Sequence, residues 1–203
     1  MYAITGGGGG SGSHGREVIE QVGAAAQAGV DMIQLREPAL EARALYELCL
    51  AARAAVGRRP TLLLLNRRVD VALAAKLDGV HLPAHGLPPA AVRTWTGPGF
   101  WLGVSCHNLA EVDAAAADGC DFCVFGPVFA SPGKGPPVGL AALAEAARRT
   151  LPVLALGGVT SANAGLCLAQ GAAGVAGIRL FSPAEAAASV DSLRNRQPAK
   201  CVE

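Results

Sequence analysis

Short apolar runs alternate with helix-like segments along almost the whole chain, and this alternation restricts the fold more than any other feature. Strand-like runs fall near Tyr2–Thr5, Asp31–Arg36, Thr61–Asn66, Gly79–Leu82, Phe100–Ser105, Cys120–Gly126, Pro152–Gly157 and Gly174–Ile178. Helical segments lie between and after them: Arg16–Ala28, Leu40–Val56, Arg68–Lys76, Pro88–Thr94, Leu109–Ala117, Leu140–Arg149, Ala162–Gln170 and Pro183–Arg194. A strand that returns beside its predecessor after a helix pairs with it in parallel. Eight near-equal units, each of about two dozen residues, predict an α/β protein built as a single closed (β/α)8 TIM barrel. A doubly wound open sheet is the competing arrangement.

The length of 203 residues suits one domain, expected over 1–196, with 197–203 as a disordered tail. A net charge of +1 and 16% charged residues create no field that would gather nucleic acid or a membrane surface. No apolar stretch approaches bilayer-spanning length. The start, Met-Tyr-Ala-Ile-Thr, lacks a basic segment and a long apolar one, so a cytoplasmic protein is expected. Six cysteines occur: Cys49, Cys106, Cys120, Cys123, Cys167 and Cys201. Cys120 and Cys123 form a C-x-x-C inside a strand-like run, where positions three apart face opposite sides. They are expected as buried small hydrophobes, not as metal ligands. Two segments break the rhythm: the glycine- and serine-rich stretch Gly6–Gly15, and the loop Ala130–Val138, a candidate lid carrying Lys134.

The run from Leu151 to Leu156 ends in Gly157 and Gly158, and a helix start follows at Thr160 or Ser161. The next apolar run ends in Gly177, Ile178 and Arg179. Successive strands that end in glycine can place bare backbone N–H groups around one anion, the phosphate site expected after strands seven and eight of a barrel. The ligand class is therefore a small phosphorylated metabolite.

Residues at the C-terminal strand ends line the active face of such a barrel. Gln34, Arg36 and Glu37 follow strand two; Asn66, Arg67, Arg68 and Asp70 follow strand three; His81 and His85 follow strand four. Ser105, Cys106 and His107 follow strand five, and Pro127 and Lys134 follow strand six. Arg36, Arg67, Lys134 and Arg179 converge if the barrel closes, and carboxylates are few. That set suits an anionic ligand and not a hard divalent cation, so no metal ligands are assigned. Plainer roles stand beside these. Arg36 and Glu37 can form a solvated rim pair, and Asn66 can cap the following helix. His81 can be a satisfied core histidine, and His85 a surface residue. Asp70 can be a surface charge or can orient a rim arginine, and Lys134 can be exposed to solvent.

Six ordered motifs resemble the thiamine phosphate synthase/TenI family over nearly the whole chain. They are Gln34-Leu-Arg36-Glu37, Asn66-Arg67-Arg68-Val-Asp70-Val-Ala-Leu, Gly79-Val-His81-Leu, Gly103-Val-Ser105-Cys-His107-Asn, Phe125-Gly-Pro-Val-Phe129 with Lys134, and Leu156-Gly-Gly-Val159. The resemblance implies that Gln34 and Arg36 serve the pyrimidine and diphosphate side. It also implies that Asn66 belongs to an Asn-Asp pair, that Ser105 contacts diphosphate and that Lys134 is the loop lysine. It further implies that Gly157, Gly158, Ile178 and Arg179 lie where the thiazole phosphate meets backbone amides, with Arg179 standing where a serine is usual. The chain departs from the synthase pattern where Arg67 replaces an aspartate, where Pro83-Ala-His85-Gly86 replaces Gly-Gln-x-Asp, and where Pro38 replaces a lysine. In these respects it resembles the TenI branch.

The resemblance therefore implies a TenI-like enzyme of thiamine biosynthesis, a metal-independent tautomerase of thiazole carboxylate phosphate. The tautomerase histidine of the strand-six motif is Pro127 here, so His107 is the expected acid–base residue and Glu37 the alternative. Arg36 or Arg67 would hold the carboxylate. One alternative is a thiamine phosphate synthase joining hydroxymethylpyrimidine diphosphate to thiazole phosphate, with Mg2+ or with Arg67 and Lys134 neutralising the diphosphate. Another is a non-catalytic thiazole phosphate binder. Thiazole synthase is a candidate partner, and a homodimer a candidate assembly.

Overall fold

The computed structural model describes residues 1–6 and 14–195. Eight parallel strands close in chain order into a barrel: β1 (Tyr2–Ile4), β2 (Met32–Leu35), β3 (Leu62–Asn66), β4 (Gly79–Leu82), β5 (Trp101–Cys106), β6 (Phe122–Phe125), β7 (Val153–Ala155) and β8 (Gly174–Gly177). Closure runs through β1 and β8, where Ala3 lies opposite Gly177. The helices are α1 (His14–Ala28), α2 (Ala42–Val56), α3 (Val69–Ala74), α4 (Pro89–Trp95), α5 (Leu109–Ala117), α6 (Gly139–Ala147), α7 (Ala164–Ala169) and α8 (Ala186–Arg194). The expected barrel is thus the observed one, with α5 matching to the residue. A 3-10 turn, Arg179–Phe181, stands directly after β8 and was not anticipated. No helix among the described residues is long and apolar enough to cross a membrane. The tail 197–203 and most of the glycine-rich stretch lie outside the described residues.

Local chemistry explains the element ends. The Asn108 side chain accepts from the Glu111 amide at 3.0 Å, while the Glu111 carboxylate accepts from Asn108 Nδ2 and from the His107 amide. This reciprocal cap satisfies donors that the first turn of α5 would leave orphaned. Helix α2 stops at Gly57, whose φ of 63° suits glycine.

Aspartates stand immediately before or within one residue of β2, β4 and β6, and each ties a strand pair together at the N-terminal rim. Asp31 holds the terminal amine of Met1 at 2.5 Å. Asp78 accepts from the Leu63 amide at 2.7 Å and from Arg53 at 2.9 Å. Asp121 accepts from the Leu102 amide at 2.6 Å and from Arg93 at 2.8 Å. Each carboxylate therefore fastens a strand start, and in two cases a helix arginine as well.

Two apolar layers form the core. Tyr2, Ile4, Leu64, Phe122, Val124, Leu154 and Ala176 fill the barrel itself. Tyr2 meets the Phe122 ring edge-on at a centroid distance of 5.4 Å. Gly103 makes this possible, because a side chain there would collide with the Phe122 ring. The barrel is therefore plugged and is no pore, which confines any ligand to the mouth. The second layer lies between strands and helices. It holds Cys106, Cys120 and Cys123 together, which corrects the expectation that Cys120 and Cys123 face opposite sides. Cys120 precedes β6 and so escapes the strand alternation. The described cysteines are buried and free, and burial pushes the Cys120 thiol up to about 12. Such a thiol is a packing group, not a nucleophile.

Candidate functional site at the barrel mouth

The mouth is built around two devices that could hold anions. The first lies beyond β7. Gly157 and Gly158 have φ of 94° and 63°, consecutive conformations that strain any residue with a Cβ. The loop after β6 packs down on them: the Val128 amide donates to the Leu156 carbonyl at 2.8 Å, and the Phe129 amide to the Gly157 carbonyl at 2.9 Å. A Cβ on Gly158 would stand 2.6 Å from the Ala130 carbonyl oxygen, and one on Gly157 would run into Pro127. Asn163 locks the turn, accepting from the Thr160 amide at 2.8 Å and donating to the Gly158 carbonyl at 3.0 Å. With the Leu156, Gly157 and Gly158 carbonyls occupied, the amides of Gly157, Gly158, Val159 and Ile178 donate to no group among the described residues. Successive unpaired amides of this kind form an anion-binding concavity. Gly177 itself lies inside β8, where its missing side chain leaves room for Leu180 of the 3-10 turn.

The second is a set of four cations at the same end of the barrel. Arg36, Arg67, Lys134 and Arg179 are exposed on the C-terminal side of the strands, and none has a carboxylate partner among the described residues. Arg67 has φ of 68°, a left-handed conformation that costs an arginine about 1–2 kcal/mol. It is held there by its amide, which donates to the His81 carbonyl at 2.9 Å. Backbone strain of this kind concentrates at functional positions.

Other residues stand where the sequence did not put them. Arg36 and Glu37 form no rim pair: Glu37 is 5% exposed and accepts from Thr5 Oγ1 at 2.6 Å, while the Arg36 amide donates to the same Thr5 oxygen at 2.9 Å. Glu37 thus clasps the ends of β1 and β2. Asn66 caps no helix; it is the last residue of β3, opposite His81, and Arg68 precedes α3. Asp70 orients Arg68, not Arg67, through two bonds of 2.9 and 2.6 Å, and these hold its carboxyl below the usual range. His85 is exposed, in the turn closed by the Gly86 amide on the Pro83 carbonyl.

Polar groups also enter the barrel. Gln34 is buried and donates to the Tyr2 hydroxyl at 3.1 Å. His81 is buried between the Tyr2 and Phe122 rings, and its Nε2 lies 3.0 Å from the half-buried Ser105 Oγ. Desolvation pushes the His81 imidazole down to about 3, so it is neutral at any working pH. His107 is exposed just past β5, and its Nδ1 donates to the Gly126 carbonyl at 2.6 Å. Tyr2 and Asn163 support the site yet went unnoticed in the sequence. Tyr2 hides in an apolar strand, whereas the Thr160-x-x-Asn163 spacing after two glycines was a readable turn signal.

The donor set does not suit Mg2+. Each nearby carboxylate is engaged: Glu37 by Thr5, Asp70 by Arg68, and Glu111 by the α5 cap. The residue after Asn66 is a guanidinium, which repels a cation. No group of three or more His, Cys, Asp or Glu residues among those described could hold a metal ion.

The family described as thiamine monophosphate synthase matches residues 1–181. A thiamine-phosphate synthase of Methanoculleus marisnigri is 41% identical over 187 residues, covering 90% of this chain and 89% of that one. A thiamine-phosphate synthase of Roseiflexus castenholzii is 42% identical over 165 residues, covering 79% and 72%. A solved structure of thiamine phosphate pyrophosphorylase from Pyrococcus furiosus superposes with a TM-score of 0.83 at 28% identity, covering 96% of this chain and 93% of that one. This chain belongs to the thiamine monophosphate synthase family.

Proposed function

We propose that the protein is a thiamine-phosphate synthase that neutralises its leaving group with side-chain cations. The observation that carries this reading is the similarity to named thiamine-phosphate synthases over most of the chain, and two groups of anion-binding residue types at one end of the barrel fit it. The unpaired amides of Gly157, Gly158 and Ile178 suit a thiazole phosphate. The set of Arg36, Arg67 and Lys134 suits a diphosphate. A reaction between two phosphorylated partners uses both, and a tautomerase would use the same two groups for one phosphate and one carboxylate. The similarity to named synthases therefore favours the synthase over the TenI-like reading.

In this reaction the thiazole ring nitrogen forms a bond to the pyrimidine methylene carbon. The carbon–oxygen bond to diphosphate breaks, and diphosphate leaves with the electron pair. Negative charge grows on the departing oxygens, where preorganised cations stabilise it most. Gln34 at the base of the mouth would hold the pyrimidine, and Asn66 and Ser105 would add hydrogen bonds.

One observation favours a second reading. His107 keeps Nδ1–H on the Gly126 carbonyl, which leaves Nε2 as the nitrogen able to exchange a proton with a ligand. That is the form a tautomerase base requires. Incubation with hydroxymethylpyrimidine diphosphate and thiazole phosphate, in EDTA and in Mg2+, separates the readings. Thiamine phosphate and inorganic diphosphate should form in equal amounts, in EDTA as well. Absence of product in both conditions, whether with turnover of thiazole carboxylate phosphate or with ligand binding alone, refutes the synthase.

A further inference from the structure

The buried His81 has one nitrogen 3.0 Å from Ser105 Oγ, while the other is buried with no hydrogen-bond partner among the described residues. The ring lies between Tyr2 and Phe122, at centroid distances of 5.8 and 6.1 Å, and both neighbours on these faces are aromatic. A neutral imidazole carries a single proton. If that proton sat on Nδ1, a buried N–H would go unanswered, and orphaned N–H groups are rarer than under-used acceptors. With the proton on Nε2, the ring donates to Ser105 and leaves only a bare lone pair among apolar neighbours.

We infer that His81 is a positioning residue that fixes Ser105 as a hydrogen-bond donor toward an anionic oxygen in the mouth. A serine hydroxyl has one proton and two lone pairs. Once Nε2–H occupies an acceptor site, the hydroxyl proton is free to turn away from His81. Ser105 stands one residue before the end of β5, half-buried, at the barrel end where Arg36, Arg67, Lys134 and Arg179 have no carboxylate partner among the described residues. An anionic oxygen is the acceptor that such surroundings attract. Taking that oxygen as one of diphosphate rests on the proposed function. The burial that keeps His81 neutral is what makes the polarity independent of pH.

The test uses the intact chain with inorganic diphosphate as the probe, and needs no turnover. In the wild type, nitrogen-15 shifts of the His81 ring should show a protonated Nε2 and a bare Nδ1. The opposite tautomer overturns the inference even if every variant unfolds. By calorimetry, Ser105→Ala should weaken diphosphate binding about 10-fold, as loss of a bond to a charged ligand does. His81→Phe keeps the ring packing, removes the donor and should weaken binding several-fold, to no more than about 10-fold. In the Ser105→Ala background, His81→Phe should add nothing further. His81→Gln, which can donate from a similar place, should recover part of the loss. Unchanged affinity in His81→Phe, or additive losses in the double variant, overturns the inference. Absence of thiamine phosphate formation by the wild type, with these binding results intact, refutes the synthase reading alone.

Discussion

The two rims of this barrel treat charge in opposite ways. At the N-terminal rim the aspartates are paired: Asp31 with the terminal amine, Asp78 with Arg53, Asp121 with Arg93. At the C-terminal rim Arg36, Arg67, Lys134 and Arg179 stand without a carboxylate among the described residues, and Arg68 with Asp70 is the exception. The glycines divide the same way. Gly103 makes room for a neighbouring ring in the core, whereas the Gly157 and Gly158 amides have no acceptor among the described residues. The N-terminal rim satisfies its polar groups internally and so contributes stability. The C-terminal rim withholds that satisfaction, which a ligand can then supply.

The contrast is sharpest where backbone is at stake. Gly158→Ala forces a Cβ to within 2.6 Å of a carbonyl oxygen at a φ of 63°. It should cost about 3 kcal/mol in urea denaturation and abolish detectable thiazole phosphate binding. A stable, ligand-competent alanine variant would break the cradle assignment. Arg67→Gly should split the two properties of its rim. Relief of the left-handed conformation should raise stability by about 1 kcal/mol, while loss of a cation at the leaving group should lower kcat/KM by about 10- to 100-fold. An unchanged kcat/KM would remove Arg67 from the site.

The N-terminal rim should show the reverse. Asp121→Ala strands the Leu102 amide and the Arg93 guanidinium. It should cost about 2 kcal/mol while leaving kcat/KM of the folded enzyme unchanged. Between the rims, His81 links stability to pH. Its folded pKa of about 3 lies below the usual 6.5, so the unfolded chain binds the extra proton. Its contribution is complete above pH 6.5 and declines toward pH 3 by up to about 1.4 kcal/mol per unit. Urea midpoints of wild type and His81→Phe should therefore converge in slope above neutrality and diverge in acid. The smallest effect belongs to the paired rim cation: Arg68→Ala should change stability by under about 0.5 kcal/mol, since its bridge to Asp70 is exposed.

The barrel was legible because hydrophobic period and turn chemistry agree at every unit. The expected and observed bounds of α5 coincide, and its start carries the Asn108–Glu111 cap, a signal present in the sequence. Gly157 and Gly158 were legible because two glycines after a buried strand have few other uses. Glu37 was not, because the sequence shows it beside Arg36, and only the pairing of β1 with β2 brings Thr5 to it. Arg67 gave no sign of its left-handed backbone, since residue type argues against that conformation. The balance between synthase and tautomerase depended on metal carboxylates, and their loss looked like loss of activity. Under the proposed function, Arg36, Arg67 and Lys134, which have no carboxylate partner among the described residues, take the place of those carboxylates in neutralising diphosphate.

The interlock between the β6 loop and the β7 turn has a consequence for how such chains diverge. Pro127 and Ala130 occupy the space that side chains at 157 and 158 would need, and Phe129 is bonded to the Gly157 carbonyl. Neither partner can be exchanged alone. Homologous barrels that recruit a new ligand at this corner should therefore have replaced loop and turn as a matched pair, and grafting one without the other should yield an enzyme that folds poorly.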